Sequence, residues 1–499
     1  MKKWIKKAGA LFACAVMIIS SSATVSAEVG YTYNYDWWGD VQYSPDAYEV
    51  EGVYTAVELG LDKALNNPNG LFVKDDMVYI CDTGNNRIIE MKRTGTDIEV
   101  VRVIEEFKGA EVNTFAAPKD IAITDDGYMF IADQDNGRIL KLTMDLEYVM
   151  EFVKPTDANF DQSLSFLPKK IAVDTAGRVY CVATNVNKGL IKYESDGVFS
   201  GFVGATPVTY DWKQYIWKRI ATKEQRAQME SFVPTEYDNL FMDHEGFIYV
   251  CTTNVSEADL NDDKAKPIRR LNLMGADILI SNGEWPVIGD IYWGEGGGYE
   301  GPSLMIDITA FDNDIYVGLD KVRGRLFAYD DQGRLVFGFG GNGNMDGYFK
   351  SPVAIEHQGR DLMVLDALDR SLTIFTPTEF GSLVFDAVEQ FQDGDYEASG
   401  ASWEKVMAMN GNYDLAYIGI GRALLRQEEY HEAMEYFKLK WDEENYSKAF
   451  KQYRKEWVEE NIGIIFALIA LLLVVPLAVG KLKALKHEID TADIFRDRK

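Results

Sequence analysis

The chain has 499 residues, with 51 Lys and Arg against 79 Asp and Glu and a formal net charge of −28. Hydrophobic residues make up 47% and charged residues 26%, too apolar for a disordered chain and enough for more than one domain with its own core. A body this acidic repels polyphosphate, which excludes nucleic-acid binding through a basic surface.

Residues 1–27 read as a secretory signal peptide. Lys2, Lys3, Lys6 and Lys7 form a basic start, residues 8–19 an apolar run, and Val25, Ser26 and Ala27 offer small side chains for cleavage before Glu28. Cys14, with Phe12 two positions before it, lacks the small-residue box of a lipidated cysteine. The alternative is an N-terminal membrane anchor, for which the run is short. The next stretch, YTYNYDWW at residues 31–38, is aromatic and serves either to wrap a domain or to bind a ligand. Beyond the signal segment only Cys81, Cys181 and Cys251 remain, which is no disulfide framework. Each lies one or two places after a Tyr in an apolar run and reads as a small buried strand residue.

Six segments then share one pattern: a short apolar strand, a polar turn, and a second strand with an aromatic or Met at a fixed place. The second strands read VYIC, MFIA, VYCV, IYVC, IYVG and LMVL, and their second residues are Tyr79, Phe130, Tyr180, Tyr249, Tyr316 and Met363. The spacings are 51, 50, 69, 67 and 47, one repeating unit with two insertions. Turns at residues 124–127, 174–177 and 243–246 each end in Gly, which supplies a positive φ. Four-stranded sheets cannot bury both faces alone; packed around an axis they can, and six units imply a six-bladed β-propeller. Residues 54–59 are expected to supply the outer strand of the last blade and close the ring.

The segments DTGNNRI at 82–88 and DQDNGRI at 133–139 resemble the strand-end Asp followed by Asn and Arg-Ile of the NHL-repeat family. Residues 339–352, FGGNGNMDGYFKSP, are similar to that family's linker between blades. The resemblance covers roughly residues 50–380; blades 3 and 4 depart from it, with Ala183 and Thr252 where the Asp belongs. Between 381 and 461 the period becomes helical. Tyr396 and Tyr430 are 34 apart, as are Trp403 and Phe437, with Ala398 and Ala433 near the same turn. This stalk resembles tetratricopeptide repeats, whose small and aromatic residues let helix pairs nest.

Residues 462–479 are 18 residues without a charge, preceded by Trp457 and by Glu456, Glu459 and Glu460, and followed by Lys481, Lys483 and Lys486. As a helix they span roughly 27 Å against a hydrocarbon core of about 30 Å. The charge asymmetry places the C-terminal tail in the cytoplasm and the rest outside. Pro476 near the end of the run costs little there.

The candidate chemistry is sparse. Asp82, Asp133 and Asp366 share a repeat position, three after the aromatic or Met, in blades consecutive around a closed ring. They form either a hard-cation site, Ca2+ for example, or turn acceptors for backbone N–H groups. Zinc-dependent lyases on this fold use several histidines; His244, His357, His431 and His487 are scattered, which rejects a His-rich zinc site. DLNDD at 259–263 imitates the start of a calcium loop but has Lys264 in place of the turn Gly. Two insertions are aromatic. Residues 205–234 hold Trp212, Tyr215, Trp217 and a capping-box pattern at 222–225; residues 280–302 hold Trp285, Tyr292, Trp293 and Tyr299 beside Asp290 and Glu295. Trp212, Trp217, Trp285, Tyr292, Trp293 and Glu295 could stack on a sugar or grip a peptide, or pack down over the channel.

The expected architecture is mainly β: a signal peptide (1–27), an NHL-like propeller with an N-terminal closing strand (28–380), a helical stalk (381–461), a transmembrane helix (462–480) and a cytoplasmic tail (481–499). The expected function is a single-pass membrane-anchored, extracytoplasmic binding or scaffold protein. Its partners would be a membrane-complex protein or a cell-surface carbohydrate, and the bilayer through residues 462–480. The rival is a cation-dependent hydrolase or lyase of the lactonase-like propeller type.

Overall fold

The computed structural model describes residues 31–205, 237–255, 260, 265–292 and 301–496. Six antiparallel sheets follow one another along the chain. Their first strands are Gly70–Lys74, Pro118–Ile123, Pro168–Val173, Asn239–Met242, Met305–Ala310 and Pro352–Gln358. Each of these touches the first strand of the next blade, and the last touches the first, so the six ring a common axis. Gly127, Gly177 and Gly246 have φ of 79°, 75° and 84°, as the hairpin turns after the first strand require. Blade 4 has three strands among the described residues; blades 1, 2 and 3 have four.

The apolar faces are buried between neighbouring blades. Phe130, Phe152, Cys181 and Tyr193 pack between blades 2 and 3, and Tyr79, Cys81, Ile121 and Leu140 between blades 1 and 2. Cys81, Cys181 and Cys251 are fully buried free thiols.

The ring closes through an N-terminal strand, but not the expected one. Tyr48–Tyr54 pairs antiparallel with Ser371–Pro377, Tyr54 opposite Leu372 and Tyr48 opposite Pro377. Residues 55–59 instead form the turn that leads towards blade 1, with the Leu59 N–H donating to the Thr55 carbonyl. The physical reason is the register. Tyr48 is buried, its ring stacked on Phe339 at 5.1 Å, and its hydroxyl donates to the Arg360 carbonyl at 2.8 Å. The aromatic N-terminal segment wraps the propeller: Tyr33–Tyr35 and Val41–Tyr43 extend blade 5 by two strands.

The chain divides into two compact units. Residues 1–385 with 409–413 form the first, and 386–408 with 414–499 the second. The helices are α1 (Glu379–Gln392), α2 (Tyr396–Met409), α3 (Asp414–Arg426), α4 (Tyr430–Leu439) and α5 (Glu443–Arg496). The period of 34 is visible in where α2 and α4 begin and in Trp403 and Phe437, which both pack on glycines of α3. Ser399, rather than Ala398, is the buried small residue matching Ala433, and its hydroxyl donates to the Ala387 carbonyl at 2.7 Å. A Cβ on Gly419 would lie 2.3 Å from the Trp403 Nε1, and one on Gly421 2.6 Å from the Phe437 ring. Gly419→Ala is therefore expected to cost about 1–3 kcal/mol through overpacking. Helical circular dichroism during a thermal scan checks this, and an unchanged melt would contradict the close approach.

The last helix, α5, has 54 residues and contains an 18-residue window of mean hydropathy 3.1, none of it buried. Pro476 lies inside the helix without ending it.

Candidate functional site

The strand-end acids sit where the second strand of a blade hands over to the third, and each ties that turn to the segment leading into the blade's first strand. Asp82, fully buried, accepts from the Asn66 N–H at 2.7 Å, the Asn85 side-chain amide at 2.8 Å and Arg87 Nε at 2.7 Å. Asp133 repeats this with the Ala116 N–H, Asn136 and Arg138. Asp366 accepts four backbone N–H groups, from Lys350, Ser351, Leu368 and Asp369. A fourth member escaped the sequence pattern. Asp320 accepts the Leu304 and Val322 N–H groups, but follows its aromatic, Tyr316, by one residue more than the others do. Blade 4, which lacks the Asp, uses Asp238 of its first-strand side, whose carboxylate takes the Thr253 N–H and hydroxyl, both at 2.6 Å. Among the described residues no group of three or more His, Cys, Asp and Glu is placed to hold a metal ion.

Of the aromatic candidates, Trp285 and Tyr292 flank the N-terminal segment. Trp285 Nε1 donates to the Asp36 carbonyl at 2.8 Å, and a Cβ on Gly39 would meet both rings. Asp290 ties the same segment down, accepting from the hydroxyls of Tyr33 and Tyr35 and pairing with Arg323 at 3.1 Å. Trp212, Tyr215, Trp217, the 222–225 capping pattern, Trp293, Glu295, Tyr299, the 259–263 motif apart from Leu260, and the signal segment lie outside the described residues.

The propeller has an axial cavity of about 420 Å³ lined by the first strands. Strand register assigns its layers. Opposite Cys81, Ala132, Val182, Cys251, Leu319 and Leu365 stand Gly70, Asp120, Lys170, Asn239, Asp307 and Ala354, one per blade. Two residues further along each strand come Phe72, Ala122, Ala172, Phe241, Thr309 and Glu356. At the mouth are Asp125, Asp174, Asp243, His244 and Glu245 of the hairpin turns.

The inner layer is ionic in a place that a repeat would fill with apolar side chains. Asp120 accepts the Ile171 N–H of the next blade at 2.8 Å and faces Lys170 Nζ at 3.5 Å. Asp307 does the same for Ile355 at 2.8 Å and takes the Asn239 amide on its other oxygen. Thr309 bridges outward, its hydroxyl 2.7 Å from His357 Nδ1 and 3.5 Å from Glu356. Burial pushes the Asp307 carboxyl up to about 6 against the pull of Lys170. Burial, with the Asp307 charge added, raises Glu356 well above the carboxylate range. Burial also raises Asp120, although Lys170 and backbone N–H groups oppose it. Burial alone would lower Lys170, but Asp120, Asp307 and Glu356 outweigh it and hold the ammonium charged. His357 is pushed down to about 4 by burial and is neutral. Chemically, the layer can hold a proton on a carboxyl group near neutral pH and present charged and polar groups to a small molecule.

No protein-family model matches the chain, and no curated protein does. Among solved structures it is similar to virginiamycin B lyase from Staphylococcus aureus at 12% identity, covering 66% of this chain and 99% of that one with a TM-score of 0.38. It is also similar to a gluconolactonase from Xanthomonas campestris at 9% identity, covering 67% and 96% with a TM-score of 0.38. The RRP9 WD40 repeats match at 9% identity, covering 67% and 99% with a TM-score of 0.39. The strand register of the chain itself identifies a six-bladed β-propeller followed by a helical region with one long apolar helix.

Proposed function

We propose that the chain is a single-pass membrane-anchored binding protein with its propeller outside the cytoplasm. Residues 1–27 would direct export, residues 462–480 anchor the chain, and residues 481–499 form the cytoplasmic tail. The NHL-like propeller and the tetratricopeptide-like helices would recognise a protein of a membrane complex or a cell-surface carbohydrate. The observation that carries the reading is α5. Leu471, Leu472, Leu473 and Val474 are 59–73% exposed, and among the described residues nothing buries the apolar window of their helix, a surface that water does not tolerate and a bilayer does. The acids before that window and the lysines after it fit an outside-to-inside passage.

Protease added to intact spheroplasts tests the topology. Digestion of the propeller with protection of a tag placed after Lys499 is expected; a protected propeller with a digested tag would overturn it. Binding is tested by recovering partners with the full chain from detergent-solubilised membranes. Trp403→Ala, which loosens the helical packing, is expected to lower recovery more than Trp285→Ala on the propeller. The opposite ranking would move recognition to the propeller.

A further inference from the structure

The axial cavity has an imbalance of charge. Three carboxyl groups, Asp120, Asp307 and Glu356, share it with one ammonium, that of Lys170. Two of the carboxylates are committed to backbone N–H groups of the adjoining blade and help to join blades 2 to 3 and 5 to 6. Glu356 is different: its carboxylate has the N–H of the next residue, His357, and a long contact, 3.5 Å, to the Thr309 hydroxyl, and it keeps accessible surface in the cavity it lines. Lys170 is only 5% exposed, yet among the described residues its three N–H donors meet a single acceptor, Asp120, at 3.5 Å. A buried ammonium with donors to spare calls for an oxygen acceptor, and a carboxyl group in excess calls for a cation.

The remaining lining agrees. Phe72 and Phe241 supply ring surface over which a cation or a C–H face can lie. The acids at the mouth are paired with nearby cations, Asp174 with Arg178 at 2.6 Å, Asp243 and Glu245 with Arg270 at 2.6 and 2.7 Å, and Asp125 with Lys74, so the charge excess lies in the inner layer. A volume of about 420 Å³ is within the range of cavities that enclose small molecules. A purely anionic ligand would add to the excess of carboxylates, and a neutral polyol would leave it uncorrected.

We propose that the axial cavity binds a small hydroxylated amine, an amino sugar or amino alcohol, with its ammonium against Glu356 and its hydroxyls against Lys170. The inference gives a ligand class to the carbohydrate-binding side of the function proposed above and rests on that reading only in taking the chain for a binder. Entry of the ligand ammonium exchanges a charge for a proton: the Glu356 carboxyl ionises, its proton leaves to solvent, and the ion pair remains.

The test is isothermal titration calorimetry on the full chain in detergent micelles, at neutral pH, in two buffers of different ionisation enthalpy. The probes are glucosamine, glucose and N-acetylglucosamine, which share a ring and differ in the ammonium. Glucosamine is expected to bind at least about tenfold more tightly than the other two and to release protons on binding. Glu356→Gln is expected to lose about tenfold in affinity together with the proton release. Ala122→Phe narrows the cavity without touching a charge, and blades 1 and 4 already carry Phe72 and Phe241 at the same repeat position. Ala122 is 5% exposed in the core between blades 2 and 3, so the melt is measured alongside; the variant is expected to melt lower but cooperatively and to bind no glucosamine. Equal affinity for the three sugars, no binding of glucosamine, or parental binding by both variants would each overturn the proposal. None of these results bears on the topology, which the protease experiment reads separately.

Discussion

Asp82→Ala is expected to lower the unfolding free energy by about 3–5 kcal/mol, and Asp133→Ala by a similar amount, because each strips a buried guanidinium of its carboxylate. Asp82 and Arg87 are both 0% exposed at the side chain and joined at 2.7 Å. Without Asp82, Arg87 keeps the largely exposed Asp62 and the Lys63 carbonyl, while the Asn66 N–H and the Asn85 amide each lose an acceptor. Arg138, at 9% exposure, likewise loses its fully buried partner Asp133 and keeps Glu151 at 3.3 Å. Chemical denaturation with Asn replacements as controls is the measurement: Asn keeps an acceptor and is expected to cost less than Ala. Repeating it with calcium separates the two roles for these acids. Stabilisation of the parent by calcium, abolished in both variants, would make them cation ligands. Loss of stability that calcium does not alter is the expected outcome.

Removal of residues 31–54 is expected to abolish the cooperative thermal transition of the propeller. Tyr48 alone packs on Phe337, Phe339 and Phe385, and loss of a buried aromatic side chain costs about 3–5 kcal/mol. The ladder to Ser371–Pro377 goes with it, leaving Ile374 and Phe375 of that strand on an unprotected edge. The cut also reaches blade 1, since Arg93 donates to Glu51 in the closing strand and to Asp361 in blade 6, each at 2.6 Å. Against a total stability of about 5–15 kcal/mol for a typical domain, these losses are decisive. A differential scan showing an unchanged transition would mean that the ring does not depend on its closing strand.

The six blades were legible because the second strand of each unit is a short apolar run after a polar turn, which ends in Gly in blades 2, 3 and 4, and that signal is local. What was not legible depends on pairing. The closing strand reads YEVEGVY, interrupted by Gly52 and half polar, and only its partner Ser371–Pro377 distinguishes it from the turn that follows. Asp320 was missed because blade 5 carries one more residue between aromatic and acid, so a fixed spacing passed it by. The axial cavity left a trace in the first strands, where Asp120, Lys170, Asn239, Asp307 and Glu356 interrupt otherwise apolar runs. The first four share one layer by repeat position, but their residue types differ from blade to blade, so no common motif marks it. Trp285 read equally well as a ligand platform or as packing, and its hydrogen bond to Asp36 involves a segment almost 250 residues away in sequence, which no local pattern encodes.

Closure of the ring by the segment ahead of blade 1 is the claim on which the cavity, its charges and the blade count all depend, and a cysteine pair tests it most directly. Val53 and Thr373 are opposed in the antiparallel ladder, at a separation that a disulfide spans. Among the described residues the native thiols, Cys81, Cys181 and Cys251, are fully buried. In Val53→Cys/Thr373→Cys, mild oxidation should give an intramolecular disulfide that shifts the denatured chain's electrophoretic mobility and raises the melting temperature. Failure to form it, or its formation only between chains, would contradict a propeller closed in this register.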